Sequence, residues 1–289
     1  MPAINEIPHI STSALMDRYS VLLLDAYGVL VHGGGALPGA VEFIDALNRA
    51  EKPYYILTND VAKLPATAAA RYRGFGLDLH EEGIISAGTL LKNYFADHAL
   101  IDKRCVVLGP RDSERYVEMA GGRVVAAGER FEVLVIADET GFPFLATVDT
   151  VLTTLFAMLD RRQAVSLILP NPDLIFPTAE FGFGLAAGSI ALVFEAALRL
   201  RYPDQPQLCF ARLGKPHAAI FNEALRRSGN RDMVMIGDQL ETDIRGANAF
   251  GIDSVLVTGG VSGAATALAL NGPQPTYLLA SLAADTKPD

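Results

Sequence analysis

Short runs of consecutive apolar residues recur along the chain, and stretches whose apolar positions return every three or four residues alternate with them. Val21-Leu22-Leu23-Leu24 is the first run and stops at Asp25; Tyr54-Tyr55-Ile56-Leu57 is the next and stops at Thr58-Asn59. Runs that are apolar at every position suit strands covered on both faces. Between them Val41, Ile44 and Leu47 stand three apart and predict a helix over about 39–50. Ala-rich helical sequence then continues to Tyr72. In the middle of the chain Cys105–Leu108, Val133–Ala137 and Val165–Leu169 read as strands, and Val148, Val151, Leu152, Leu155 and Leu159 stripe a helix between the last two. Pro216 predicts the opening of a helix carrying Ile220, Phe221, Ala224 and Leu225, because a first helical turn has no use for the missing N–H. Met233–Ile236 ends at Gly237-Asp238, a helix through Ile244 and Ala247 stops near Gly251, and Ser254–Val257 reads as a final strand. This alternation predicts an α/β fold with parallel sheets and crossover helices.

Composition narrows the class. A chain of 289 residues has room for about two domains. With 50% hydrophobic and 20% charged residues, it is neither disordered, collagenous nor a coiled coil. The formal charge of −9, with no local cluster of Lys and Arg, argues against nucleic acid as a partner. Cys105 and Cys209 sit in apolar runs and read as buried small hydrophobes, not as a disulfide framework. The N-terminal MPAINEIPHISTSALMDRYS lacks the basic start and apolar core of a signal peptide, and no apolar stretch reaches 18 residues. The expectation is a soluble cytoplasmic protein with no membrane partner.

Three apolar runs end in polar residues that could share one place. In open α/β sheets, ligands bind beyond the carboxyl ends of the strands, where the following loops converge. If those three strands are neighbours, Asp25, Thr58 and Asp238 meet in one crevice. Lys215, in Leu213-Gly214-Lys215-Pro216, precedes a helix leading into the Asp238 strand and would come to the same end. Each residue alone has a plain explanation as a cap, a turn or a solvated charge. Their order, closed by Asp238 and Asp243, carries the signal.

At these residues the chain resembles the haloacid dehalogenase superfamily. Asp25-Ala-Tyr-Gly-Val-Leu, Leu57-Thr58-Asn59, Gly214-Lys215-Pro216 and Gly237-Asp238-Gln-Leu-Glu-Thr242-Asp243-Ile244 look like its four motifs. The 157-residue interval from Thr58 to Lys215 implies an inserted α/β cap of class IIA, the branch of nitrophenyl and pyridoxal phosphate phosphatases. Asn171-Pro172-Asp173 and Ala187-Gly188-Ser189-Ile190 also look like that class. The resemblance implies a Rossmann-like core over 1–85 and 186–289, a cap over 86–185, and hydrolysis of a small phosphate ester. In such enzymes the position of Asp25 attacks phosphorus, Thr58 binds a phosphoryl oxygen, and Lys215 balances charge. Mg2+ is implied on Asp25, the Tyr27 backbone carbonyl, Asp238 and Asp243. Three carboxylates in one crevice would repel without a cation, and a hard divalent ion suits oxygen ligands. Asn59, Asn171 and Asp173 are implied in substrate binding, and relatives of this class pair through their caps.

Tyr27 departs from the pattern. Family phosphatases carry a second Asp there as general acid/base, and loss of such a group costs about 10²–10⁴-fold. Three alternatives stay open at this point: a phosphatase working without that Asp, a silent protein that binds phosphate and Mg2+, and a haloacid dehalogenase. Asp-Ala-Tyr-Gly suits the dehalogenase. Thr58 follows Asp25 by only 33 positions, which leaves no room for a dehalogenase cap, and Asp238 and Asp243 would lack a purpose. His32 follows the nucleophile loop and His217 follows Lys215, and each reads as a loop residue within reach of the crevice.

Overall fold

The computed structural model describes residues 7–177, 182–258 and 272–283. From the N-terminus the chain forms α1 (Thr12–Arg18), β1 (Val21–Leu24), a hairpin of β2 (Val31–His32) and β3 (Gly35–Ala36), α2 (Ala40–Arg49), β4 (Tyr54–Thr58), α3 (Pro65–Gly74) and β5 (Ile84–Ser86). There follow α4 (Leu91–Asp97), β6 (Arg104–Leu108), α5 (Arg111–Met119), β7 (Arg123–Val124), β8 (Val133–Ile136), α6 (Phe144–Leu159) and β9 (Ser166–Leu169). Then come a ribbon of β10 (Ile175–Pro177) and β11 (Phe183–Leu185), α7 (Ala187–Arg201) and β12 (Ala211–Arg212). The chain closes with α8 (Ala218–Ser228), β13 (Met233–Gly237), α9 (Arg245–Phe250), β14 (Asp253–Val257) and β15 (Tyr277–Leu279). The parallel α/β expectation holds.

Two compact units form. The first takes Met1–Thr58, Pro65–Ile85 and Lys215–Asp289, and the second takes Asn59–Leu64 and Ser86–Gly214. In the first unit a six-stranded sheet runs in the order β15-β14-β13-β1-β4-β5. β1 pairs in parallel with both β13 and β4, matching Leu24 to Ile236 on one side and to Ile56 on the other. The chain therefore leaves β1 toward β4 and returns on its opposite side as β13, which makes the end of β1 a topological switch point. All four residues of β1 are buried. Leu22 and Leu24 join Phe43, Ile44 and Leu47 of α2 and Ala68, Ala69 and Tyr72 of α3 in one apolar cluster. On α2 the three-and-four spacing turns Phe43, Ile44 and Leu47 to one side, which is why that helix lies on the sheet.

The second unit has its own parallel sheet, ordered β12-β9-β8-β6-β7. Its core joins Leu134 and Ile136 of β8, Val148, Val151 and Leu155 of α6, and Ile190, Phe194 and Leu198 of α7. The main segment of this unit starts at the expected residue 86 and extends beyond the expected 185. α7 packs in the same core as β8 and α6, and β12 pairs with Ile168 and Leu169 of β9, so the unit runs on to Gly214. Residues 59–64 join it because its side chains hold their backbone. Ser86 Oγ, Ser113 Oγ and Tyr116 Oη donate to the carbonyls of Asp60, Val61 and Lys63, and Leu64 N donates to Asp112.

Cys105 is buried as expected, but Cys209 is exposed. Pro216 is also placed differently from expectation. α8 starts at Ala218 with His217 at its N-cap, and Pro216 sits in the preceding turn with Lys215. A turn tolerates the missing N–H as well as a first helical position does. No helix among the described residues is long and apolar enough to cross a membrane.

Candidate active site

Asp25 directly follows β1, and its backbone N–H donates to Ile236 O at 2.9 Å, tying the strand end to β13. Asp238 directly follows β13. Asp243 sits in a short, wide helical turn, Leu240–Ile244, where its N–H reaches Gln239 O and its carboxylate accepts from Gln239 N at 3.1 Å. The three carboxylates each offer an oxygen within 4.8 Å of the others, and all three are buried. Lys215, at 3% exposure, donates from Nζ to Asp25 Oδ1 at 2.6 Å and to Asp243 Oδ1 at 2.7 Å. Thr58 ends β4, two residues past the partner of Leu24, and is buried. The first unit thus brings together the Asp25, Thr58, Lys215, Asp238 and Asp243 that the sequence picked out.

Two glycines let these groups approach. Gly28 has φ +86°, a left-handed conformation open to glycine, and a methyl there would overlap the Asp238 carboxylate. A methyl on Gly237 would overlap the Asp243 carboxylate. Side chains at either position would fill the space that the acids occupy.

The charge balance is uneven: three carboxylates share one ammonium. Burial would push the Lys215 ammonium down, but Asp243 and Asp25 outweigh it and hold the group above its ordinary value. Burial pushes the Asp25 carboxyl well above the usual carboxylate range; Lys215 opposes this, and Asp243 and Asp238 add to it. Both directions have one cause, a surplus of negative charge in a dry place. A hard cation would remove that surplus, and a donor set of carboxylate oxygens is of the kind Mg2+ takes. The residues fit the ion.

Tyr27 lies in the loop after Asp25. Its half-buried ring packs on the apolar cluster under α3, and its hydroxyl accepts a hydrogen bond from Arg71 Nη1. Arg71 escaped the sequence reading, since an Ala-rich helix offers no pattern that would single it out.

Asn59, Asn171 and Asp173 come together in the second unit. Asn59 Nδ2 donates to Asp173 Oδ1 at 2.8 Å, and Asn171 Oδ1 accepts from Asp173 N at 3.1 Å. Asn59 and Asn171 are buried. Bare glycines again make the room, because a methyl on Gly214 would overlap Asn59 Oδ1 and one on Gly188 would overlap Pro172 O. His32 is exposed at the tip of the β2–β3 hairpin, where Nδ1 accepts from Gly34 N at 2.9 Å. His217 stands at the N-cap of α8.

Comparison with known proteins agrees with this geometry. Residues 22–123 match the family described as haloacid dehalogenase-like hydrolase, and residues 212–284 match a second one described as HAD-hydrolase-like. An acid sugar phosphatase of Staphylococcus haemolyticus is 27% identical over 268 residues, covering 91% of this chain and 93% of its own. A structure described as a possible sugar phosphatase from Cytophaga hutchinsonii superposes with a TM-score of 0.81 at 28% identity, covering 96% of this chain and 98% of that one. A glycerol phosphate phosphatase from Mycobacterium tuberculosis, solved in complex with magnesium, has a TM-score of 0.76 at 24% identity, covering 95% and 77%. The first match carries Asp25 and Thr58, the second carries Lys215, Asp238 and Asp243, the two together span more than half of the chain, and the fold agrees over nearly all of it: the chain belongs to the haloacid dehalogenase-like hydrolases.

Proposed function

We propose that this protein is a Mg2+-dependent phosphatase that hydrolyses a small phosphomonoester through an aspartyl-phosphate on Asp25. The observation that carries this is the buried Lys215 bridging Asp25 and Asp243, with Asp238 beside them, at the switch point of the sheet. An acid sugar phosphatase and a possible sugar phosphatase among its relatives support the substrate class.

The roles follow from position. Asp25 supplies the nucleophilic oxygen, splitting one difficult displacement into two easier ones. Lys215 keeps Asp25 oriented and neutralises charge that builds on the phosphoryl oxygens. Thr58 donates a hydrogen bond to one of those oxygens. Phosphoryl transfer asks a protein mostly to position and neutralise, and these are groups that do so. Asp25, the Tyr27 carbonyl and Asp238 would hold Mg2+, with Asp243 as the supporting acid that orients Lys215. When bound, the ion supplies positive charge against the phosphoryl oxygens and relieves the repulsion among the acids.

The second unit is the class IIA cap in this proposal, and Asn59, Asn171 and Asp173 recognise the part of the substrate beyond the phosphate. A homodimer through the cap is supported by the exposed Leu174, Ile175, Phe176, Phe183 and Leu185 on the β10–β11 ribbon and beside it, an apolar patch on a surface strand pair.

The test is phosphate release from one aryl and one alkyl phosphate, with Mg2+ or with chelator, by the wild type and Asp25→Asn. Release that needs both Mg2+ and Asp25 is expected. Release that survives chelation, or that Asp25→Asn retains, would refute the proposal.

A further inference from the structure

Tyr27 stands two residues after Asp25, and its phenol has a defined set of neighbours. Arg71, in the second turn of α3, donates from Nη1 to the Tyr27 hydroxyl. Its guanidinium carbon lies 5.6 Å from the Tyr27 ring centroid and 5.4 Å from that of Phe75, so the cation rests against both rings. Phe75 and Tyr27 are themselves packed on the cluster that joins α3 to the sheet. Among the described residues no carboxylate comes within the 4.0 Å of an ion pair with Arg71. Every other buried or half-buried cation discussed above, Lys215 and Lys63 included, has such an acid.

The direction of the Arg71–Tyr27 bond is fixed by chemistry. A guanidinium only donates, so the phenol oxygen accepts, and the single phenolic proton must be offered elsewhere. A charged donor on the oxygen also polarises the O–H and strengthens it as a donor in turn. Arg71 thus occupies one lone pair of the phenol oxygen and leaves its proton for another acceptor. We propose that Arg71 is a positioning residue for the reaction, holding the Tyr27 hydroxyl as hydrogen-bond donor to the ester oxygen of the departing group. Arg71 acts in this way only if the chain is the phosphatase proposed above. In that step the Asp25 oxygen–phosphorus bond forms as the phosphorus–ester oxygen bond breaks. The electron pair stays on the departing oxygen, which leaves hydrogen-bonded to the phenol and takes its proton from solvent water. Tyr27 keeps its own proton throughout. Stabilising charge only as it develops is what raises kcat, and the need for it grows with the basicity of the leaving group.

The experiment is a leaving-group series, 4-nitrophenyl, phenyl and glycerol phosphate, run at saturating Mg2+ on the wild type, Tyr27→Phe, Arg71→Ala, Arg71→Lys and the Tyr27→Phe/Arg71→Ala double variant. Arg71→Ala and Tyr27→Phe are each expected to lower kcat about tenfold or more on phenyl and glycerol phosphate, and less than about threefold on 4-nitrophenyl phosphate. The double variant should match Tyr27→Phe, because Arg71 works through that hydroxyl. Arg71→Lys should recover part of the loss, and it keeps the comparison open if Arg71→Ala folds poorly. Equal losses across the series would show a structural role and overturn the assignment. So would losses that multiply in the double variant, or a change confined to KM. A wild type with no release dependent on Mg2+ and Asp25 would overturn the phosphatase proposal itself, and this assignment with it.

Discussion

Removing the Lys215 ammonium while keeping its length, as Lys215→Met does, tests the charge argument at the centre of the site. The side chain is 3% exposed and bridges two carboxylates at 2.6 and 2.7 Å, with a third acid in the same cluster. Deleting one partner of a buried ion pair typically costs about 3–5 kcal/mol, since the remaining charge has no counterpart. A second route bounds the same figure. The stranded carboxylates can escape by taking up a proton, and protonating one acid of ordinary pKa about 4 at pH 7.5 costs about 3.5 × 1.36, or roughly 5 kcal/mol. Both routes put the loss near 4 kcal/mol, about 8–16 °C in Tm for a chain in this size range. The sign with pH follows. In the variant the buried acids hold protons more tightly than in the unfolded chain, so stability present at low pH is lost as pH rises from about 4 upward. The deficit against the wild type should therefore narrow from pH 7.5 to pH 5. Urea unfolding in chelator, followed by far-UV circular dichroism because the chain has no Trp, reads the difference. Lys215→Met/Asp243→Asn removes one negative charge along with the positive one and should regain at least half of the loss. Mg2+ should stabilise Lys215→Met more than it stabilises the wild type. A double variant no more stable than the single one, together with a deficit unchanged by pH, would refute the reasoning and make Lys215 a packing residue.

Other perturbations probe separate parts of the molecule. Glu139, just past β8, is pushed up to about 7, first by burial and then by the neighbouring Asp138, so the stability it contributes below about pH 4.5 is lost as pH rises to 7. Glu139→Gln should thus stabilise by about 1–2 kcal/mol at pH 8, after discounting for its partial exposure, and by nothing at pH 4.5, as urea midpoints at the two pH values will show. Gly28→Ala forces a methyl into the Asp238 carboxylate at a left-handed position; a loss of about 1–3 kcal/mol is expected in thermal unfolding, with at least about tenfold weaker Mg2+ binding by calorimetry. Glu195 is buried in the second unit, where it accepts from Arg212 through both oxygens and from Phe210 N. Glu195→Gln should cost about 2–3 kcal/mol of that unit's stability, read by hydrogen exchange in β9 and β12, and leave exchange in β1 and β13 unchanged.

Much of this site could be read from the chain because the first unit obeys local rules. β1 and β13 are buried on every residue, so their sequences are unbroken apolar runs and their ends are unmistakable. A polar residue at such an end has few places to go, which is why Asp25, Thr58 and Asp238 could be named before their strands were known to be neighbours. Asp243 was reached through its spacing from Asp238. What the chain did not show depends on partners distant in sequence. The helical stripe of α7 reads the same whether it packs on one sheet or the other, and β12 is two residues long, so the second unit's end at Gly214 left no local mark. The grip on residues 59–64 comes from Ser86, Asp112, Ser113 and Tyr116, single side chains 26–53 positions further on.

Tyr27 shows the limit most sharply. Its position relative to Asp25 was plain, and a phenol taken alone offers a donated hydrogen bond where a carboxylate would accept a proton. That argument treats the side chain in isolation. In the folded unit the hydroxyl has a fixed donor in Arg71, 44 residues away in a helix whose sequence gives no reason to notice it. A bond of that direction takes one lone pair and leaves the phenolic proton for another acceptor, so under the proposal above Tyr27 offers the leaving group a hydrogen bond and not a proton. A hydrolase built this way should keep its rate where the leaving group departs easily and lose it where the departing oxygen needs a proton. Efficient turnover of simple alkyl phosphates by the wild type, at rates comparable to 4-nitrophenyl phosphate, would show that some other group supplies the proton.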